Sequence, residues 1–210
     1  MKVKDIIQAR GIAEVLHFTT HKGLLGILHS GFVKSRKRLP AEVQLEYIYT
    51  PNAIYRKDRN WLDYVNLSIT RINHQFFTSS CRWHRESELW WCILSFDPVI
   101  LTHSSVHFAT TNNFYPSVIR GVGAAGLENL FATRVAGRYG NIQQRPTNCD
   151  DAVTTCNQAE VLYPKELSID FLQRIYVENG DDEDEVHAQL ALVGKSLLQV
   201  VVDPEKFRMV

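Results

Sequence analysis

The segment from Tyr64 to Thr70 alternates between apolar and polar side chains. Its apolar positions are Val65, Leu67 and Ile69, and its polar positions are Asn66, Ser68 and Thr70. A period of two is that of a β-strand, whose successive side chains point to opposite faces of the sheet. The chain must therefore contain a sheet, and one strand of it has a face that is exposed or turned towards a polar cleft.

Other segments predict short strands and small helices around this one. Strand patterns cover residues 12–18, 90–96, 159–163, 171–177 and 197–202, and Phe108 begins or ends another strand. Helices are predicted from a cap at Asp5 to Gly11, over Leu24–Leu28 before Gly31, from Gly126 to Val135, and from the acidic run 181–185 through Val193 to Gly194. Because the strands mostly lack a βαβ rhythm, the predicted fold class is α+β.

Residues 137–157 carry few apolar side chains and several Gly, Pro, Asn and Asp residues. This composition predicts a long, mobile loop. Loops of that length are unusual unless they have a function.

The composition is that of a globular protein. The chain has 210 residues, of which 45% are hydrophobic and 22% are charged, so disordered, collagen-like and coiled-coil classes are excluded. We expect a single domain over residues 1–210. The formal charge is zero, but residues 1–145 carry 18 basic against 10 acidic side chains, and residues 146–210 carry 5 against 13. A basic front of this kind is compatible with an anionic ligand.

The chain has no signal-like or membrane-spanning apolar run, and its longest strongly apolar run is Leu89–Phe96. We therefore expect a cytoplasmic protein without membrane contact. The four cysteines are Cys81, Cys92, Cys149 and Cys156, and no pair has the C-x2-C spacing of a zinc site. Free thiols and no bound metal are expected, with a redox pair of Cys149 and Cys156 as the alternative.

Glu160 is the first candidate for chemistry. It lies in Ala-Glu-Val-Leu-Tyr, a strand pattern with apolar neighbours, next to the long loop. An unpaired buried carboxylate is costly, so this one should face a cleft or a cation. The competing interpretation is an exposed glutamate on an edge strand.

Further candidates have equally plain alternatives. His17 ends the first predicted strand, where an imidazole can bind a polar ligand or serve as a structural histidine. Asn66 and Ser68, on the polar face of their strand, can likewise either bind a ligand or have a structural role. Arg56 and Arg59 precede that strand and form either a phosphate clamp or a solvated basic turn.

The basic segments 34–38 and 82–85, together with Trp61 and Tyr55, offer cations and flat rings that suit phosphate contacts and base stacking, although such clusters are usually solvated faces. The chain contains no complete P-loop, no HExxH and no GxSxG motif. Residues 121–126 match GxGxxG, but no βαβ unit surrounds them, so a flexible lead-in to a helix is favoured over a dinucleotide site.

Five blocks occur in a recognisable order: Leu16-His17-Phe18-Thr19 followed by the 23–31 helix; Asp63-Tyr64-Val65-Asn66-Leu67-Ser68-Ile69; Phe108-Ala109-Thr110-Thr111-Asn112-Asn113; Gly126 to Phe131; and Gln158-Ala159-Glu160-Val161-Leu162-Tyr163-Pro164. Together they resemble the DarT family of nucleic-acid ADP-ribosyltransferase toxins, over about residues 12–178. The family's commonest branch reads Y-V-P-F-Y-F where this chain has Tyr64-Val65-Asn66-Leu67-Ser68-Ile69, and the F-T-D block is degraded to Phe108-Ala109-Thr110.

The resemblance implies a compact ADP-ribosyltransferase-type fold with a central, mostly antiparallel split sheet and small flanking helices. It also implies NAD+ as a consumed co-substrate and ADP-ribose transfer to a nucleobase. Glu160 would be the catalytic acid-base residue, with Arg56, or failing it Arg59, on the NAD+ phosphates. His17, Phe18, Thr19, Leu25, Asn66 and Ser68 would help to bind NAD+, and Asn112, Arg145 and Gln158 would bind the acceptor. The 137–157 segment would recognise the target.

Single-stranded DNA is the expected acceptor. The alternatives are RNA, protein, or a nucleic-acid-binding module without enzymatic activity. The resemblance further implies a neutralising antitoxin as partner and a role in phage defence.

Overall fold

The computed structural model describes residues 1–39, 59–85 and 88–208, with Arg59 described by its backbone alone. In these ranges the helices are α1 (Val3–Arg10), α2 (His21–Ser30), α3 (His74–Trp83), α4 (Gly123–Asn129) and α5 (Gly180–Leu192). The strands are β1 (Val15–Thr20), β2 (Phe32–Lys34), β3 (Tyr64–Ile69), β4 (Trp91–Phe96), β5 (His107–Ala109), β6 (Arg120–Val122), β7 (Arg134–Ala136), β8 (Ile142–Gln144), β9 (Glu160–Pro164), β10 (Glu166–Ser168), β11 (Leu172–Val177) and β12 (Gln199–Val202). None of the described helices combines the length and the apolar content that a membrane span needs.

The described strands form one large sheet and two small pairs. The large sheet has the order β12-β11-β4-β1-β3-β9-β5-β6. Its neighbours are antiparallel, except that β12 runs parallel to β11. β2 pairs with β10, and β7 pairs with β8. The predicted α+β class with a mostly antiparallel sheet is confirmed.

The sheet is joined least in its middle. β1 pairs with β4 along its whole length, but with β3 only through Val15–Ile69 and Leu16–Ser68. At His17, the next residue of β1, the strands are joined by a side chain instead of a backbone hydrogen bond: Nδ1 of His17 lies 3.0 Å from the carbonyl oxygen of Asn66. The sheet therefore splits between β1 and β3, and the split exposes polar groups of both strands.

Apolar side chains cover both faces of the sheet. One face carries Val15, Leu94 and Phe96 and packs against helices through residues such as Leu24 and Leu127. The other face carries a second cluster: Leu16, Ile72, Phe77, Ile93, Tyr176 and Phe207. Burying an aliphatic or aromatic side chain of this size contributes about 1.5–3 kcal/mol. β1 is thus packed on both faces, whereas β3 contributes apolar side chains to the first cluster only.

A buried polar cluster lies at the start of β1. Glu14 is buried, and its Oε2 accepts hydrogen bonds from Ser95 Oγ at 2.9 Å and from the Tyr176 hydroxyl at 2.8 Å. Its Oε1 is paired with the ammonium group of Lys206, in the C-terminal 3-10 helix Pro204–Phe207. This cluster ties the end of the chain to its first strand.

Helix ends follow the glycine pattern, whereas one predicted cap is wrong. Gly11 and Gly31 end α1 and α2 in left-handed conformation, and Gly194 follows α5 with φ of 69°. Asp5 is not the N-cap of α1. It lies in the first turn, and its carboxylate accepts from the backbone N–H of the true cap, Lys2, at 2.7 Å.

The helix predicted over Gly126–Val135 is wrong in its bounds. α4 spans Gly123–Asn129, and Val135 lies instead in β7, where it pairs with Gln143 of β8. The same pairing corrects the loop predicted over 137–157, because residues 142–144 form the second strand of this hairpin. Val135 continues the helical spacing of apolar residues in the sequence, but in the structure it is buried as part of the β7–β8 hairpin.

The GxGxxG segment leads into a helix, as expected, but its glycines serve close packing. A Cβ built on Gly121 would lie 2.7 Å from the Cα of Gly126, so β6 and α4 approach with backbone against backbone. A side chain at either position would push the helix off the strand. The segment is tightly packed at these two positions.

Candidate active site

At the split between β1 and β3, His17 and Glu160 both form hydrogen bonds with Asn66. Asn66 lies on the polar face of β3, and its backbone carbonyl accepts from His17 Nδ1. Its side-chain Nδ2 donates to Glu160 Oε2 at 2.7 Å. One residue thus connects the histidine of one half of the sheet with the glutamate of the other.

Glu160 begins β9 and is only 7% exposed. Besides Asn66, the backbone N–H of Asn113 donates to its Oε2, at 3.3 Å. The interpretation as an exposed edge-strand glutamate is therefore wrong, because β9 is an inner strand between β3 and β5. Donors on both sides hold the carboxylate in one orientation, as a buried charge requires.

The imidazole of His17 is held neutral. Burial lowers the pKa of His17, while its hydrogen bond to the Asn66 carbonyl raises it by less. Since a carbonyl oxygen only accepts, the proton sits on Nδ1, and Nε2 keeps a lone pair. His17 can therefore accept one hydrogen bond from a polar ligand in the split.

On the other side of Glu160, a rigid arginine borders a cleft. Arg120 of β6 donates from Nε to Asn113 Oδ1 and from Nη2 to the Asn113 carbonyl, both at 2.6 Å. Its guanidinium carbon lies 5.0 Å from the ring centroid of Trp61. The cleft has a volume of about 340 Å³, and its lining includes Trp61, Asn113, Phe114, Tyr115, Pro116 and Arg120. We refer to it as the Arg120 cleft.

Two residues proposed from the sequence for acceptor binding lie next to this cleft. Gln158 is buried two positions before Glu160, and its Nε2 donates to the hydroxyl of Tyr115 at 3.2 Å. Asn112 accepts at Oδ1 from the Phe114 N–H at 3.0 Å and so shapes the turn that carries the cleft.

Arg145 is engaged elsewhere. Its Nη1 donates to the Val153 carbonyl at 2.6 Å and its Nη2 to the Asp150 carbonyl at 2.8 Å. The side chain is 13% exposed, and its guanidinium carbon lies 5.7 Å from the Phe131 ring centroid. In this conformation Arg145 closes its own loop, and its expected contact with the acceptor stays a prediction.

The remaining candidates for NAD+ binding are on β1, α2 and β3. Phe18 is half-buried against Phe76, Phe77 and Trp91. The Thr19 hydroxyl lies against Gly23, where any side chain would collide with it. Leu25 is 44% exposed on α2. Ser68 is half-buried on the same face of β3 as Asn66.

Of the predicted phosphate-binding arginines, neither side chain lies within the described residues. Arg56 lies outside the described residues, and so does the side chain of Arg59, whose backbone starts a short 3-10 helix. In the basic segment 34–38, Arg38 donates to Asp63 at 2.8 Å, while Ser35 donates to the same carboxylate at 2.9 Å. This pairing raises the pKa of Arg38 and lowers that of Asp63.

The thiols are free in the described residues. Burial raises the pKa of Cys81 to about 11 and also raises that of Cys92. Cys156 is buried with its Sγ 3.2 Å from Thr111 Oγ1. The pairing of Cys149 with Cys156, kept open as an alternative, is not formed in this structure.

Sequence reasoning missed Asn113 and Arg120 as parts of the site, and it named Trp61 only as a stacking ring that accompanies the basic segments. Asn113 directly follows Asn112 within the Phe108–Asn113 block, which was the one available signal. Arg120 stands in a segment without a distinctive pattern, and only strand pairing brings it to Asn113.

A split antiparallel sheet, with a histidine on one half and a buried glutamate on the other, defines an α+β fold of the ADP-ribosyltransferase class. The family model described as "DarT: ssDNA thymidine ADP-ribosyltransferase, DarT" matches residues 16–208. The chain belongs to the DarT family, as its five sequence blocks indicated.

Solved structures agree with this fold. "Thermus sp. 2.9 DarT in complex with ADP-ribosylated ssDNA" aligns with a TM-score of 0.67 and 14% identity, covering 94% of this chain and 97% of that chain. "Thermus sp. 2.9 DarT in complex with NAD+" aligns with a TM-score of 0.64, 14% identity and coverage of 94% and 98%. "Thermosipho africanus DarTG in complex with ADP-ribose" aligns with a TM-score of 0.62, 11% identity and coverage of 93% and 51%. This chain spans about half of that Thermosipho chain. The comparison with curated proteins found no match.

Proposed function

We propose that this chain transfers ADP-ribose from NAD+ to the base of a thymidine in single-stranded DNA. The family description over residues 16–208 supports the reaction and the acceptor. The Thermus structures that share the fold carry NAD+ in one case and ADP-ribosylated single-stranded DNA in another. The alternatives of an RNA acceptor, a protein acceptor and a non-enzymatic module remain as outcomes of the experiment below.

One observation carries the proposal: Asn66 holds His17 through its carbonyl and Glu160 through its amide. The two residues expected to act on opposite parts of the co-substrate are thereby fixed relative to each other. Pre-oriented groups of this kind lower a barrier because they need no rearrangement as charge develops.

Glu160 has two tasks in this proposal. As the bond between nicotinamide and ribose breaks, positive charge builds up on the ribose, and a fixed carboxylate stabilises it. The same carboxylate accepts the proton that the attacking base releases. Its Oε2 accepts hydrogen bonds from Asn66 Nδ2 and from the backbone N–H of Asn113, which fix the carboxylate in place.

His17 binds rather than transfers protons. Because burial lowers its pKa, the ring stays neutral at pH 7 and offers Nε2 as an acceptor for the N–H of a carboxamide or for a ribose hydroxyl. Thr19, Phe18 and Leu25, from β1 and α2, and Ser68 of β3 are assigned to the NAD+ site. Arg56, or failing it Arg59, is assigned to the NAD+ phosphates.

A single-stranded acceptor follows from the chemistry. The base must turn its edge towards Glu160, which is buried at the bottom of the site, and a base paired in a duplex cannot do this without being extruded. The basic residues of the first two thirds of the chain would attract the DNA backbone, with an affinity that falls as salt rises.

The test compares three polymers. Labelled NAD+ is incubated with the protein and single-stranded DNA, RNA of the same sequence, or cell protein, and a DNA oligonucleotide without thymidine serves as the control. Label is expected on thymidine-containing DNA alone. Label on RNA or on protein alone would replace the acceptor, and label on none of them would refute the transferase proposal.

We also propose that the chain is the toxin of a toxin–antitoxin pair. Modified DNA bases would harm the producing cell, and the Thermosipho relative is described as DarTG. A role in phage defence and a cytoplasmic location belong to the same proposal. Co-expression with a neighbouring gene product, scored by host-cell growth, tests the antitoxin.

A further inference from the structure

We propose that the Arg120 cleft seats the acceptor base and that Arg120 is the residue that selects it. This inference rests on the proposed function and adds to it the place and the selecting side chain. Three features of the cleft support it: its position relative to Glu160, its fixed donors and its aromatic lining.

The position of the cleft follows from the strand order. His17 is on β1, Glu160 on β9 and Arg120 on β6, with β9 lying between the other two in the sheet. In a displacement at the ribose carbon, the attacking atom enters from the side opposite to the leaving nicotinamide. If nicotinamide leaves on the His17 side, the acceptor must approach from the β6 side, where the cleft opens.

Arg120 is oriented as a ligand-binding group. Hydrogen bonds to Asn113 occupy its Nε and Nη2, and the ring of Trp61 supports its plane. Among the described residues, these are the contacts that fix the guanidinium, and they leave Nη1 to donate into the cleft. An arginine held in this way loses little conformational freedom on binding.

Asn113 supplies a second donor that lacks a partner. The residue is 2% exposed, and in the described part of the chain its Nδ2 makes no hydrogen bond. Its Oδ1 accepts from Arg120, which fixes the orientation of the amide. A buried donor without a partner is unfavourable, so a carbonyl group of a ligand at this end of the cleft would stabilise the site.

The donors and rings match a thymine base. Thymine presents carbonyl oxygens and a methyl group, whereas cytosine carries an amino group in place of one carbonyl. Two donors in the cleft therefore favour thymine and oppose cytosine. Phe114, which is 40% exposed, and Tyr115 offer flat surfaces for the ring. The volume of about 340 Å³ is at the lower end of the usual range for ligand pockets, which suits one nucleotide.

The test is Arg120→Lys, which keeps the charge but removes the planar fork of donors. A matched control is Arg208→Lys, because Arg208 is 67% exposed and follows β12 at the opposite edge of the sheet. Steady-state kinetics are measured with oligonucleotides that contain a single thymidine or a single cytidine, and NAD+ binding is measured by calorimetry.

We expect Arg120→Lys to lower kcat/KM for the thymidine oligonucleotide roughly ten- to a hundredfold and to reduce its preference over cytidine. NAD+ affinity should stay within about twofold of the parent protein, and the control should behave like the parent. Phe114→Ser provides a second variant, with a raised KM for the oligonucleotide as the expected result.

Weaker NAD+ binding with unchanged kinetics for the oligonucleotide would show that the cleft holds the co-substrate and would overturn the inference. An unchanged thymidine preference in both variants would overturn it as well, while the proposed function would stand. If the parent protein modifies no polymer, the proposed function fails first and the inference fails with it.

Discussion

At the scale of single residues, Asn66 has the largest consequence for the site. Its carbonyl holds the imidazole of His17, and its amide lies 2.7 Å from Glu160. A substitution of the side chain alone separates the two contacts, because the backbone carbonyl remains. The contribution of the amide to the state of Glu160 can thus be measured without disturbing His17.

Asn66→Asp is expected to slow transfer by about 10²-fold at pH 7. It places a second carboxyl group beside Glu160, and two carboxylates at that distance cannot both stay ionised, so one pKa rises. The rate as a function of pH should therefore show an acidic limb displaced to higher pH. Asn129→Asp, at an exposed position of α4, is the matched control. An unshifted profile for Asn66→Asp would contradict this role.

His17 should make stability depend on pH. Its pKa is lowered in the folded protein, so the unfolded chain binds the proton first as pH falls below the ordinary histidine value of about 6.5. Stability is then complete above that pH and declines below it. Burial and Arg71 lower the pKa of His74, which acts in the same direction.

Urea unfolding at several pH values between about 5 and 8 measures the effect. His17→Gln should flatten the decline, because glutamine keeps a donor for the Asn66 carbonyl but does not titrate. Equal pH dependence of the parent and His17→Gln would show that His17 does not contribute.

At the scale of elements, the segment before β9 is held by arginines. Arg145 binds the carbonyls of Asp150 and Val153, and Arg10 of α1 donates to the Asp151 carbonyl at 3.3 Å. The guanidinium carbon of Arg10 lies 4.1 Å from the ring centroid of Phe131. The loop that leads to Glu160 is therefore fastened to the first helix.

Arg145→Lys should lower the free energy of unfolding by about 1.5–3 kcal/mol, since lysine keeps the charge but cannot satisfy both carbonyls. Urea denaturation against the exposed control Arg134→Lys measures the loss, and proteolysis within residues 146–152 should become faster. A raised KM for DNA at unchanged stability would instead support the acceptor contact predicted from the sequence.

At the scale of the whole molecule, Glu14 joins the two ends of the chain. Burial, followed by the hydrogen bond to Glu14, raises the pKa of Tyr176 to about 12, so the phenol stays protonated and donates. Lys206 supplies the compensating charge. The last turn of the chain is thus part of the structure that supports β1 and, with it, His17.

Lys206→Met should destabilise the protein by about 3–5 kcal/mol, because it leaves the Glu14 carboxylate buried without its cation. The double variant Glu14→Gln, Lys206→Met should recover part of that loss, since no buried charge remains. Chemical denaturation of the two single variants and the double variant measures the coupling. Strictly additive losses would show that the pair is not coupled.

Sequence patterns within a few residues predicted the strand faces and the helix ends. The alternation of β3 predicted that Val65 is buried and that Asn66 lies on the polar face of the strand, and Gly31 ends α2 as predicted. Contacts across the chain could not be predicted in this way. Glu14 and Lys206 are 192 positions apart, and Arg120 meets Asn113 through the pairing of β5 with β6. Arg56 lies outside the described residues, so its role stays a prediction.

The most direct test concerns Glu160. Intact-mass analysis of a thymidine-containing oligonucleotide is compared for the parent protein, Glu160→Gln and the exposed control Glu128→Gln, each shown by calorimetry to bind NAD+. We expect the parent and the control to add one ADP-ribosyl group, and Glu160→Gln to be slower by about two orders of magnitude or more. Equal modification by Glu160→Gln and the parent would show that Glu160 is not the catalytic carboxylate.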